Sequence, residues 1–239
     1  MIMNKKEALN KVDIQTPIKD IIAYYQPIVA FENQRIIGYE ALARKVIEEK
    51  IQAPIEWLPQ ILSENNGSER LTKHMLELVL DKMSQVSDDK YISINFETED
   101  IDNANLDQII QRFEAEKLSH RLVIEITERG ELFNYPPEAI QKLKEHNFRL
   151  AFDDFGSGAA RFLSLIDFQP NVIKLDKVVI DRINESAVQS IIKALSEWCI
   201  SKGIKILAEG IEEQSQIGHC INAGISYGQG YYFGQPAEL

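Results

Sequence analysis

The sequence predicts an α/β fold: a TIM-like (β/α)8 barrel whose first strand runs antiparallel to the rest. Three observations carry that expectation. Apolar runs of strand length, rich in Ile, Val, Phe and Tyr, recur eight times along the chain. From the second run onward, segments with helical spacing fill most of the gaps. Only a few polar residues, around Glu32 to Gln34, separate the first two runs. A parallel connection needs a crossover of about a dozen residues or more, so these two runs must form an antiparallel hairpin. The alternative is an open doubly wound sheet, distinguished by an exposed edge where a barrel would pair its first and last strands.

The strands are read in order as YYQPIVAF (24–31), RIIGYEALA (35–43), YISINF (91–96), RLVIEIT (121–127), FRLAFD (148–153), VIKLD (172–176), IKILAE (204–209) and QGYYF (229–233). The stretch from 68 to 86 places Leu71, Met75, Leu78, Val79 and Met83 on one helical face. Segments 106–118, 136–147, 187–203 and 212–224 repeat the pattern. Pro136 and Pro137 suit a helix start, and Gly203 and Gly224 sit where helix C-caps belong. The first 20 residues are too few for an independent domain and read as a helical extension to a barrel over 21–239.

Composition narrows the function. Of 239 residues 44% are hydrophobic and 26% charged, ample for one sizeable core. A net charge of -11 repels nucleic acid polymers and anionic membranes, while a small anion remains admissible where cations mask the local acid. No apolar run approaches the ~18 residues of a spanning helix. Cys199 and Cys220 lack metal-ligand spacing, and a reducing cytoplasm suits them. The four histidines and the two tryptophans fall at no useful spacing, so structural roles are expected of them.

In such a barrel catalytic groups stand at the C-terminal ends of the strands. Asn95, Glu125, Asp153, Asp154 and Glu209 fall there, with Glu128 and Glu212 just beyond. Glu40 interrupts an apolar strand, Lys174 and Asp176 alternate on one face, and Gln229 stands between two glycines. Singly, each has an ordinary explanation such as a helix cap or a solvated loop. Together, Glu40, Glu125, Asp153, Asp154 and Glu209 would repel one another unless cations joined them. An all-oxygen set favours Mg²⁺ or Mn²⁺ over Zn²⁺.

The motifs QPI (26–28), YEALAR (39–44), INFE with Asn95, EITE (125–128), FDDFGSG (152–158), IKLD (173–176), AEGIEE (208–213) and GQGYYF (228–233) resemble the EAL family of bacterial cyclic di-GMP phosphodiesterases. The resemblance runs from about residue 24 to Pro236 and implies the same barrel with its first strand reversed. It implies hydrolysis of cyclic di-GMP to linear pGpG with two Mg²⁺ or Mn²⁺ ions, in a signalling homodimer. Position by position, Glu40, Asn95, Glu125 and Asp153 look like ligands of one metal. Asp153 would bridge to a second, held also by Asp154 and Glu209. Lys174 would hold and polarise the attacking water, with Gln229 and Glu212 supporting the water and Lys174. Glu128 would brace the loop after the two aspartates, and Gln26, Leu42 and Arg44 would contact the dinucleotide.

One departure stands out. Family members often continue the double aspartate with Gly-Thr-Gly-Tyr-Ser-Ser, where this chain has Gly156-Ser157-Gly158-Ala159-Ala160-Arg161. Asn171 and Ser226 also replace usual aspartates. An active enzyme is the favoured reading, since every expected ligand is present. The alternative is a weak or inactive relative serving as a cyclic di-GMP receptor or a protein-interaction module.

Overall fold

A computed structural model describes residues 16–96, 103–127, 136–157 and 162–239. Nine strands form one sheet in the order β1-β9-β8-β7-β6-β5-β4-β2-β3, and β1 also pairs with β2, which closes a barrel. The strands are β1 (Ile21–Ala30), β2 (Arg35–Ile47), β3 (Lys50–Gln52), β4 (Tyr91–Phe96), β5 (Leu122–Thr127), β6 (Arg149–Phe155), β7 (Val172–Leu175), β8 (Lys205–Ala208) and β9 (Tyr227–Gly228). β1 is antiparallel to both neighbours, whereas β2, β4, β5, β6, β7, β8 and β9 run parallel. First and last strands pair through Val29–Gly228 and Ala30–Tyr227, so the open doubly wound alternative is excluded.

The hairpin expected from the short 32–34 connection is present, with register Gln26–Glu40, Tyr24–Leu42 and Ile22–Arg44. β2 overruns the barrel wall, and its end folds back on β3 through Glu48 and Glu49, at φ 48° and 62°. Positive φ at both central residues marks the two-residue turn that suits strand twist. Three residues are too few to show alternation, so β3 escapes a reading by period.

The helices are α1 (Leu58–Leu62), α2 (Gly67–Met83), α3 (Asn103–Ala115), α4 (Pro137–Glu145), α5 (Phe162–Phe168), α6 (Lys177–Ile180), α7 (Ser186–Lys202) and α8 (Gln214–Asn222). α4 starts at Pro137, where the missing proline N–H costs nothing, and α7 ends at Gly203 in the left-handed region (φ 71°). The buried stripe of α2 runs through Leu71, Met75, Leu76, Val79, Leu80 and Met83; Leu78 lies only partly buried beside it. α1, α5 and α6 are each about two turns or less, too short for a 3.6-residue period to announce them. Ile61, Leu165, Phe168 and Ile180 from these helices join the core between the sheet's outer face and the helices, where Phe152 meets Phe155 and Phe168 edge to face.

One expectation is corrected. The last strand is Tyr227–Gly228, not 229–233: the QGYYF run is a turn, whose exposed rings gave it the composition of a strand. The helical extension expected over 1–20 lies for the most part outside the described residues, which begin at Thr16; residues 16–20 are not helical. Thr16 is instead held by Glu64, Gln60 and Arg70, from α1 through the start of α2.

Candidate active site

At the C-terminal ends of the parallel strands the barrel gathers its polar side chains around one buried ammonium. Lys174 of β7 is 1% exposed. Its Nζ lies 2.7 Å from Glu125, 2.9 Å from Glu209, 3.0 Å from Asp153 and 3.6 Å from Glu40. These carboxylates come from β5, the residue after β8, β6 and β2. The register steps forward by two residues between them (Glu40 pairs with Ser93, Asn95 with Glu125, and position 127 with Asp153), a stagger that the tilt of barrel strands turns into a common rim. Hydrogen bonds fix Glu40 on both oxygens. Asn95 Nδ2 donates to Oε1 at 3.0 Å, and Gln229 Nε2 donates to Oε2.

Adjacent residues on a strand point to opposite faces, so the pair Asp153–Asp154 requires a device. β6 supplies a bulge. Phe152 pairs with Ile173 and Phe155 with Leu175, leaving both aspartates opposite Lys174 alone. Asp154 takes φ 55° in the left-handed region, and the chain turns on through Gly156 at φ 97°. The bulge brings carboxylate oxygens of Asp153, Asp154 and Glu209 within 4.8 Å of one another.

Gln229 follows β9 directly. Its N–H donates to Ala208 O and its carbonyl accepts from Ile211 N, which aims the side chain at Glu40. Gly230 permits that close approach, since a Cβ there would lie 2.1 Å from Ile211 O.

The electrostatics follow from burial and crowding. Burial and the neighbouring Glu40 and Asp153 charges push Glu125 well above the usual carboxylate range, against the pull of Lys174. Glu209 is pushed up to about 8 by burial, with Asp153 and Glu40 adding to the shift. Burial alone would raise Glu40 too, but Lys174 and the Gln229 and Asn95 hydrogen bonds outweigh it and hold that carboxyl low. Burial works against the Lys174 charge, yet the carboxylates around it raise its pKa well above normal. One ammonium cannot neutralise this ring, and the Lys174 ion pair is the one contact that Asp153 Oδ1 has among the described interactions. Carboxylates converging from Asp153, Asp154 and Glu209, with Glu125, Glu40 and Asn95 beside them, fit hard divalent cations bound through oxygen.

Gln26, opposite Glu40, is buried and donates to Gly234 O at 3.1 Å. Leu42 lines a pocket of about 430 Å³ that opens between β2, α1 and α2 and includes Asn95, Asp153 and Asp154. Arg44 is partly buried further along β2, its Nη1 donating to Ala43 O. Glu212 does not join the ring: its exposed carboxylate is 3.2 Å from Lys177 Nζ, because the turn at Gly210 (φ 67°) carries it onto the rim. Its expected contact with Lys174 is therefore not made. Asp176, on the Lys174 side by alternation, caps α6 through Val178 N instead. Glu128 and the altered loop 158–161 lie outside the described residues.

Asn171, the departure noted above, lies at the other end of β7, where its Oδ1 accepts from Leu150 N. A side-chain carbonyl serves there as a carboxylate would. Ser93 is buried and shares the inward face of β4 with Asn95.

The EAL domain family model matches residues 12–236. The probable cyclic di-GMP phosphodiesterase PdeA of Escherichia coli K12 is 30% identical over 240 residues, covering 97% of this chain and 32% of that protein. Among solved structures, an EAL domain protein of Listeria monocytogenes EGD-e superposes with TM-score 0.83 at 28% identity, covering 91% of this chain and 89% of that one. The Bacillus subtilis YkuI protein, solved with substrate c-di-GMP and calcium, gives TM-score 0.80 at 22% identity over 93% of this chain and 57% of that one. The chain spans 28% to 58% of the length of five curated relatives that it matches. Closed barrel, reversed first strand and near-complete family match agree: the chain belongs to the EAL domain family.

Proposed function

We propose that the protein is a metal-dependent phosphodiesterase that hydrolyses cyclic di-GMP to linear pGpG. The observation that carries this reading is the ring of Glu40, Glu125, Asp153 and Glu209 around Lys174, with Asp154 turned toward it by the β6 bulge. Glu40, Asn95, Glu125 and Asp153 would hold one Mg²⁺ or Mn²⁺, and Asp153, Asp154 and Glu209 a second. Such ions, when bound, supply Lewis acidity and make hydroxide available near neutral pH. In the net reaction a water oxygen bonds to phosphorus, the bond from phosphorus to the ribose 3′ oxygen breaks, and that oxygen leaves as a hydroxyl.

The chain's own groups have distinct tasks. Lys174, an ammonium among carboxylates, donates to the attacking water and offsets the charge that builds on the phosphate oxygens. Gln229 and Asn95 keep Glu40 in place. Arg44 and Gln26 face the substrate from the β1–β2 hairpin, with Leu42 on the pocket wall between them. The reading includes a homodimer in a reducing cytoplasm, for which two buried free cysteines are suited.

The test is incubation with cyclic di-GMP and Mg²⁺ or Mn²⁺, the products being resolved by chromatography. Linear pGpG is expected from the wild type and none from Glu40→Ala. Asp153→Asn should abolish turnover and weaken metal binding; near-normal activity would refute the bridging role. Intact substrate with the wild type, bound but uncleaved, would instead make the protein a receptor.

A further inference from the structure

The inward face of the β1–β2 hairpin climbs from the acidic ring to the open end of the barrel. Its paired rungs are Gln26 with Glu40, Tyr24 with Leu42, and Ile22 with Arg44. Tyr25 points the other way, buried against α2 with its hydroxyl donating to Leu78 O and the Lys82 ammonium 5.9 Å from its ring centre. By alternation Tyr24 therefore faces the mouth, where it is only half-buried.

A second ring stands on the loop after β9, the strand paired with β1 on its other edge. Tyr231 is 62% exposed, yet its loop is held firmly. Gln229 is bonded to Ala208 and Ile211, Tyr232 N donates to Ile211 O, and Phe233 stacks on Phe31 at 6.1 Å. Gln26 ties the loop back to β1 through Gly234 O. Burial holds the Arg44 guanidinium below its usual pKa, and Tyr231, Glu40 and Tyr24 are near enough to oppose that shift. A cation accompanied by two accessible phenol rings, beside a phosphate-cleaving centre, suits a nucleotide: the guanidinium takes phosphate and the rings stack bases.

We infer that Tyr24 and Tyr231 are substrate-positioning residues that stack the nucleobases of the cyclic dinucleotide beside Arg44. The inference rests on the phosphodiesterase reading and adds two aromatic contacts to it.

Steady-state kinetics on cyclic di-GMP test it with Tyr231→Ala, Tyr231→Phe, Tyr24→Leu and Tyr24→Phe beside the wild type. Each ring removal should raise KM by about tenfold while kcat stays near the wild-type value. Each Phe variant should keep the wild-type KM, because stacking needs the ring and not the hydroxyl. Tyr231 is exposed enough for its Ala variant to fold, which a thermal melt verifies. An unchanged KM in Tyr231→Ala overturns the proposal. So does a Phe variant as impaired as the ring removal, which would assign the hydroxyl instead. If the wild type binds cyclic di-GMP without cleaving it, the hydrolytic reading fails and the same ratios are read as Kd by calorimetry. A wild type that neither cleaves nor binds it overturns both.

Discussion

Two buried cations sit at opposite ends of the barrel, and they are solved differently. Lys174 and Arg121 are 1% and 3% exposed. Arg121, just before β5, donates to the backbone carbonyls of Val86, Ser87 and Lys90 and pairs with the exposed carboxylate of Asp88. Its donors meet neutral acceptors, and its single counter-ion stands at the surface. Lys174 has instead four carboxylates within 3.6 Å, from four separate segments, and no comparable cation beside it among the described contacts. The Arg121 site closes its own account of charge and hydrogen bonds, so it latches the α2–β4 connection to β5 and asks for nothing more. The Lys174 site holds more acid than it can neutralise, which marks it as a place for added cations. In barrels of this kind function gathers at that end and stability at the other.

The largest effect should come from removing the unbalanced cation. Lys174→Met should lower turnover by at least about a hundredfold. In chelator it should also destabilise the fold by roughly 3–5 kcal/mol, since the carboxylates lose their shared partner. Mg²⁺ or Mn²⁺ should recover part of that loss in a thermal melt. A melt indifferent to either ion, in wild type and variant alike, would contradict the metal site. Arg121→Ala provides the contrast. Three carbonyls lose their donor, at a cost of about 2–4 kcal/mol. The ion-induced rise in melting temperature and the turnover per folded molecule should both match the wild type. A changed response to metal would show the two ends to be coupled.

Gln229→Ala should have a smaller effect than either. Glu40 keeps Asn95 and Lys174 but loses one donor, so about 1–2 kcal/mol of stability should go, read from denaturant unfolding. Turnover should drop by roughly tenfold as Glu40 loosens. A full loss like that of Lys174→Met would give Gln229 a direct part in the chemistry.

The same contrast explains what could be read from the sequence. Long parallel strands declare themselves by apolar runs, and the chain's acids fall at their ends, so the barrel and most of the ring were legible. Lys174 as the centre of that ring was not, because alternation gives the face a side chain takes and not the partners it meets there. Glu212 was misplaced for a related reason: the turn at Gly210 decides its direction, and nothing periodic encodes that. Arg121 went unnoticed because its partners are backbone carbonyls, which leave no pattern of residue types. The bulge in β6 was hidden as well, since it exists only in the register against β7.

That bulge supports the finest prediction. Asp154 holds φ 55°, a conformation that favours glycine and is tolerated by aspartate at a cost of about 1 kcal/mol. Asp154→Gly removes that strain and one carboxylate facing Asp153 and Glu209, while the freer unfolded chain opposes the gain. The two should nearly cancel, leaving stability in chelator within about 1 kcal/mol of wild type. The stabilisation by Mg²⁺ or Mn²⁺ should nevertheless shrink, because one ligand of the second ion is gone. Asp154→Val should destabilise the fold in chelator and with metal alike, as a β-branched residue resists positive φ. If Asp154→Gly instead kept the full response to metal, the left-handed turn would serve the backbone alone, and Asp153 with Glu209 would hold the ion without it.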